Sequence, residues 1–297
     1  MSHNIYRIAP STTGDALNGT VVWSPVRSLW LLLMYTIAII GAVFTISIDM
    51  LLLLLVTCVI TLCFGHSVGM HRRFIHNSFE CPLWLEYVLV YLGTLVGLGG
   101  PLGTLNVHDL RDWAQNQPQC HDHFGHRRDL LTDWFWQLHC DIQLEHEPEI
   151  VLEERIANDR FYHWLEKYWM AQQLPWVIIF GLIGGVDWVI WGVCMRVSVC
   201  ATCHWLVGHY AHTQGHQHWR VDGASVQGYN IKYLGLLTMG ECWHNNHHAY
   251  PGSAKLGLHK GESDPGWWLL NMLKACGLAW NIKQPQDLGD RSQLAVL

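Results

Sequence analysis

The chain has 297 residues; half are hydrophobic, only 14% are charged, and the net charge is −6 with histidine neutral. A soluble domain usually carries about 25% charged residues, so the composition is that of a membrane protein, and the negative balance argues against nucleic acid as a partner. The 17 Trp fit residues that sit at the membrane–water boundary, and the ten Cys, without regular spacing, build no disulfide framework; Cys200 and Cys203, in an apolar helical stretch, read as packing.

The stretch before Arg7 is polar and has no cleavable signal pattern, so 1–27 reads as an N-terminal cytoplasmic segment. Residues 28–48 carry no charge and match the roughly 20 residues a helix needs to cross a bilayer. Asp49 makes a minimal break before a second span, 50–70, so the two form a tight hairpin. Residues 83–107 are apolar but hold Glu86, Gly99-Gly100-Pro101 and Gly103, which predicts a partly buried or interfacial helix rather than a span. Residues 108–172 are wet and acidic. A weaker pair of spans follows, about 168–186 and 188–208, split by Asp187; 209–297 is polar and rich in His and Trp. The expectation is an all-α membrane protein with four transmembrane helices as two hairpins plus a His-rich helical cap. Arg72, Arg73, Arg127 and Arg128 lie beside the His clusters, which puts cap and termini on the cytoplasmic side. One domain, 28–285, is followed by a tail, 286–297.

The histidines fall in three regions. His71 and His76 stand at the end of the second span, with His66 reading as a boundary marker. The second region holds Gln117, Cys120, His121, His123 and His126; Pro118 marks a first helical turn, and Gln117, Cys120 and His121 fall at i, i+3, i+4. The third begins with His204, His209, His212, His216 and His218 and closes on His244, His247 and His248, again i, i+3, i+4, one face of a helix. His204, His216 and His218 read as interface or surface residues, His146, His163 and His259 as plain surface ones, and His3 as part of a loose terminus. Seven or more imidazoles from three segments exceed the four ligands of one zinc. Two metals are the economical reading, and a nitrogen-rich site at a membrane edge suits iron that activates dioxygen.

The run Gly240-Glu241-Cys242-Trp243-His244-Asn245-Asn246-His247-His248-Ala249-Tyr250-Pro251 resembles the final His-x2-His-His box of the integral-membrane fatty acyl desaturases, in particular the stearoyl type and its bacterial relatives. His71-x4-His76 is similar to that family's first box, and His212 fits the His it places shortly after the last span. Gly257-Leu258, Gly277-Leu278-Ala279-Trp280 and Arg196 agree as well, and the resemblance runs from about 28 to 285. The second box departs. After the lead-in Asp112-Trp113-Ala114 the expected His-x2-His-His reads Gln117-x2-Cys120-His121, and Gly208 stands where stearoyl-type enzymes have an Asn.

The resemblance implies a desaturase that uses dioxygen, two iron ions and two external electrons to place a double bond in an acyl chain. His71, His76, His121, His212, His244, His247 and His248 are the implied ligands, with Asp109, Asp112, Glu241 and Asn245 as acceptors for their second ring nitrogens. Three arrangements fit the altered box: His123, His126 and His209 replace the lost ligands, one metal is held weakly, or the centre has decayed. Gln117 and Cys120 are further candidate ligands. Arg72, Arg73, Arg127 or Arg128 would meet an anionic head group on a fatty acyl thioester or lipid. Without a His-Pro-Gly-Gly stretch or a Cys cluster, the electron donor is separate: a ferredoxin, rubredoxin or cytochrome b5. A hydroxylase on the same scaffold and a non-catalytic metal-binding membrane protein are the rival readings.

Overall fold

The computed structural model describes residues 7–9 and 14–297, so His3 and most of the opening segment lie outside the described residues. A short strand, β1 (Gly19–Trp23), leads into α1 (Pro25–Thr45), which begins with proline in its first turn, where a missing N–H costs nothing. Leu29, Leu33, Ile40 and Phe44 of α1 are exposed, a pattern that suits lipid. Ser47 caps the next helix by accepting the Met50 N–H. That helix, α2, runs Ile48–Ile75.

The second part of α2, Ile60–Ile75, is wound as a π-helix. On an α-helix residues five apart point about 140° from one another. The wider i→i+5 winding brings them close to one face. His66, His71 and His76 are spaced by fives, and the His71 and His76 rings stand 4.8 Å apart. The π-winding is therefore what makes the first histidine pair a pair.

α3 (Leu83–Thr94) packs back on this segment through glycines. A Cβ on Gly69 would meet the Leu89 carbonyl oxygen at 2.5 Å, and one on Gly65 the Leu92 carbonyl carbon at 2.3 Å. With 12 residues, α3 is about 18 Å long, short of the roughly 30 Å hydrocarbon core. Its Glu86 is buried and bonded to Arg73, Arg155 and Tyr162. After the Gly-Gly-Pro break come α4 (Pro101–Gln115) and α5 (Leu130–His139). β2 (Cys140–Leu144) pairs antiparallel with β1, Gly19 opposite Leu144, and two short helices follow, α6 (Glu154–Ala157) and α7 (Arg160–Lys167).

The run Met170–Thr213 is one helical stretch of 44 residues by hydrogen bonding, but it folds back on itself. Gly185, at φ 70°, is its one non-helical residue, and the left-handed conformation suits glycine. Arg196 donates to the Gln173 side chain, 23 positions earlier, where a straight helix would hold them about 35 Å apart. The sequence places the break at Asp187; the backbone reverses two residues sooner. We label Leu174–Val189, which contains the reversal, α8, and Arg196–Thr213 of the returning arm α9. Beyond them lie β3 (Trp219–Val221), α10 (His244–Ala249), α11 (Pro265–Ala275) and β4 (Leu294–Val296), which pairs with β3. Among the described residues, three runs are long and apolar enough to cross a membrane: Pro25–Thr45, Ile48–Ile75 and Met170–Thr213. The architecture is mostly helical, and its two sheets are two-stranded ribbons.

Candidate metal centre

Two imidazole groups meet where the end of α2, α4, the end of α9 and α10 converge. In the first, ligand-type atoms of His71, His76, His108 and His247 lie within 4.8 Å of one another; in the second, those of His212, His244 and His248 do. The two are contiguous through α10, which supplies His247 to one and His244 and His248 to the other. The i, i+3, i+4 spacing achieves this split: ring centroids stand 5.3 Å apart for His244–His247 and 4.7 Å for His244–His248.

The donor chemistry fits metal. Among the described residues, the buried His71 Nδ1, His76 Nε2, His108 Nδ1, His126 Nε2, His247 Nδ1 and His248 Nε2 have no hydrogen-bond partner, an expensive state for a buried polar atom. Glu241 Oε2 lies 2.6 Å from His71 Nδ1 but out of line for an N–H bond. His212 donates Nδ1–H to the Gly208 carbonyl at 2.6 Å, which leaves its Nε2 as a lone pair 3.1 Å from His244 Nε2. Two nitrogens sharing a metal at about 2.1 Å stand about 3.0–3.4 Å apart. Burial first, then neighbouring imidazoles, holds His76, His244 and His247 well below the usual histidine range. Burial and then Arg291 lower His248 to about 3. These rings are neutral at physiological pH, the form a metal binds.

A third group adjoins the second. Asp133, fully buried, accepts from His126 Nδ1 (3.0 Å), His209 Nδ1 (2.8 Å) and Trp205 Nε1 (2.8 Å). Burial would raise this carboxyl, but His126, Trp205 and His209 outweigh it and hold it below its usual value. Burial lowers His126 to about 4 against the pull of Asp133, so the pair is a carboxylate and a neutral ring whose Nδ1–H is fixed. His126 takes a left-handed φ of 53°, rare for a non-glycine residue. Its ring lies parallel to that of His212, centroids 5.2 Å apart, over Gly208, where a Cβ would touch its Cε1 and Nε2 at 3.3 Å.

The structure distributes the sequence-derived candidates unevenly. His71, His76, His212, His244, His247 and His248 come together in the two groups. Gln117 donates to the Trp113 carbonyl, Cys120 packs with Ala16, Ala114 and Phe124, and His121 lies against Trp136, all apart from the groups. His123 is buried beside Trp136 and Phe124. His108, on α4, is the residue the sequence reading passes over. It stands four residues ahead of the Asp112-Trp113-Ala114 lead-in and outside every His-x2-His-His spacing, so no pattern marks it. Asp109 and Asp112 carboxylates stand 3.7 Å from His108 Nδ1; burial opposes them, yet they raise His108 above its usual value. Asn245 orients the chain of β3 rather than a ring. The four arginines do not converge. Arg72 is buried on Asp264 and Arg73 on Glu86, while exposed Arg127 donates to the Ser225 carbonyl and exposed Arg128 pairs with Asp122.

Long apolar helices closing on buried, convergent imidazole clusters define a histidine-cluster membrane protein. Among known proteins, the chain is 35% identical over 236 residues to an sn-1 stearoyl-lipid 9-desaturase from Anabaena variabilis, covering 77% of this chain and 80% of the relative. It is 31% identical over 231 residues to an sn-2 palmitoyl-lipid 9-desaturase from Nostoc sp. (73% and 76%), and 32% identical over 234 residues to an sn-1 stearoyl-lipid 9-desaturase from Synechocystis sp. (77% and 70%). No family model matches the chain. The chain belongs to the membrane acyl-lipid and acyl-CoA desaturase family, the O2-dependent oxidoreductases of lipid metabolism.

Proposed function

We propose that the protein is a four-span membrane desaturase with a dinuclear iron centre, introducing a double bond into a fatty acyl chain carried by a lipid or by CoA. The observation that carries this reading is the pair of contiguous imidazole groups, each with buried ring nitrogens that have no hydrogen-bond partner among the described residues. His71, His76, His108 and His247 would hold one iron; His212, His244 and His248 would hold the other. The relatives named above act on acyl lipids, and an icosanoyl-CoA 5-desaturase from Limnanthes douglasii shares 30% identity over 239 residues, which supports both carriers.

When bound, the irons would supply dioxygen activation and hydrogen removal from two neighbouring methylenes, with O2 reduced to two waters by two electrons and two protons from outside. The chain's own residues hold and orient. Gly208 fixes the His212 tautomer through its carbonyl, and the i, i+3, i+4 face of α10 divides its rings between the groups. The reversal at Gly185 supports two crossings in Met170–Thr213 and hence four in all, with the cap and termini cytoplasmic. Exposed Arg127 and Arg128 suit an anionic head group better than Arg72 and Arg73, which are buried in ion pairs. The electrons would come from a separate carrier, a ferredoxin, rubredoxin or cytochrome b5.

The second group offers three imidazoles against four in the first, and His126 supplies the balance. Asp133 holds its Nδ1–H, which leaves a buried Nε2 lone pair next to His212, and Gly208 has no side chain in the way. The departed second box is thus a rearranged ligand set rather than a decayed one. Iron content of detergent-purified protein tests this. The parent is expected to hold close to two irons per chain, His247→Ala to lose iron from the first group, and His126→Gln to fall toward one. Fewer than two in the parent overturns the dinuclear reading; two in both parent and His126→Gln overturns only the role of His126. Lipid product analysis separates a double bond from a hydroxyl group.

A further inference from the structure

The cap holds another histidine cluster, outside the central groups and sharing no residue with them. The segment ahead of β3 and the loop ahead of α11 bring His216, His218 and His259 together. Ring centroids are 4.3 Å apart for His216–His218 and 3.9 Å for His218–His259. Ligand-type atoms of His218, His259 and Glu262 all lie within 4.8 Å of one another. The cluster lines an open cavity of about 550 Å³ whose wall also carries Lys232, Lys260 and Trp243.

The backbone around these side chains is held firmly. His216 exchanges both backbone hydrogen bonds with Asn230, at 2.9 and 2.7 Å. The His218 and Trp219 N–H groups both donate to Asn245 Oδ1. Glu262 Oε2 accepts from the Leu258 and His259 N–H groups and from Asn246 Nδ2. Its Oε1 takes only a 3.5 Å contact from Asn230 and is available as a ligand. Burial, then His259 and His216, lowers His218 from its usual value. Among the described residues, the charged side chains lining the cavity are Glu262, Lys232 and Lys260, and the carboxylate is the one grouped with the imidazoles.

We propose that His218, His259 and Glu262 form a peripheral site for a divalent transition metal of the zinc class, with an open coordination position facing the cavity and His216 beside it. Two imidazoles and a carboxylate with an open position are a donor set such ions favour. Asn245 and Asn246 tie the site to α10, so an ion there clamps the two loops against the helix that carries His244, His247 and His248. The proposal stands apart from whatever the central groups hold.

Iron-loaded protein in detergent, titrated with Zn2+ by calorimetry with iron counted before and after, tests it. The parent is expected to show one saturable Zn2+ site, with no iron released and the melting temperature raised. His259→Ala, whose ring is exposed, and Glu262→Gln, which keeps the acceptor, are each expected to bind Zn2+ at least tenfold more weakly while retaining iron; His163→Ala binds as the parent does. Absence of saturable Zn2+ binding in the parent, binding unchanged in both variants, or Zn2+ uptake matched by iron release overturns the proposal.

Discussion

His108 stands within ligand distance of His71, His76 and His247, its ring 5.4 Å from that of His71, whereas the His121 ring rests on Trp136 near the surface. The placement yields a direct contrast. His108→Ala removes one of four imidazoles and is expected to weaken iron retention in the first group at least tenfold, the scale of losing an interaction at a metal site. His121→Ala is expected to keep the parent's iron content and its thermal midpoint. Iron retention after dialysis against a weak chelator measures both, and the reverse pattern would make His121 rather than His108 the ligand. The third box was legible in the sequence because three imidazoles at helical spacing are a strong periodic signal. His108 was not, because a lone His on a polar helix, outside any box, carries no pattern.

At the scale of elements, the position of His71 and His76 depends on how closely α2 meets α3. Gly65, Gly69 and Gly93 let the two backbones touch, an arrangement membrane helices use widely. Gly69→Ala would set a methyl 2.5 Å from the Leu89 carbonyl oxygen, a contact relieved only by backbone shift. Overpacking of this kind costs about 1–3 kcal/mol. The variant is expected to melt at a lower temperature and to lose iron preferentially from the group containing His71 and His76. A thermal midpoint equal to the parent's would show that the helices separate without penalty. Neither this contact nor the π-winding can be read from residue periodicity. An α-helical reading turns His71 and His76 to different faces, and the winding emerges only when the end of α2 packs on α3 and the cap. The reversal in Met170–Thr213 was half legible: Asp187 signalled a break in an apolar run, but Gly185 is where the backbone can take a positive φ.

Taken whole, the molecule closes apolar helices over buried and half-buried imidazoles, and burial holds most of these rings below the usual histidine range. An unfolded histidine takes a proton near pH 6.5; His126 resists until about 4 and His248 until about 3. Between those values these two rings bind more protons in the unfolded chain than in the folded one, so their contribution to stability falls as pH falls through this window and is constant above about pH 7.5. Metal adds to the same slope, because protons compete for the same lone pairs. Chelator-treated protein in detergent should therefore melt lower than iron-loaded protein at pH 8, since each unsatisfied buried nitrogen costs about 1–3 kcal/mol. Both forms should lose thermal stability as pH drops from 7 to 5, and the iron-loaded form should lose its advantage along with its iron. Melting curves at pH 8, 6.5 and 5, with iron counted at each, decide the matter. A midpoint of the metal-free protein that stays level from pH 8 to 5 would mean that the rings take protons inside the fold, against the burial that lowers His244, His247 and His248.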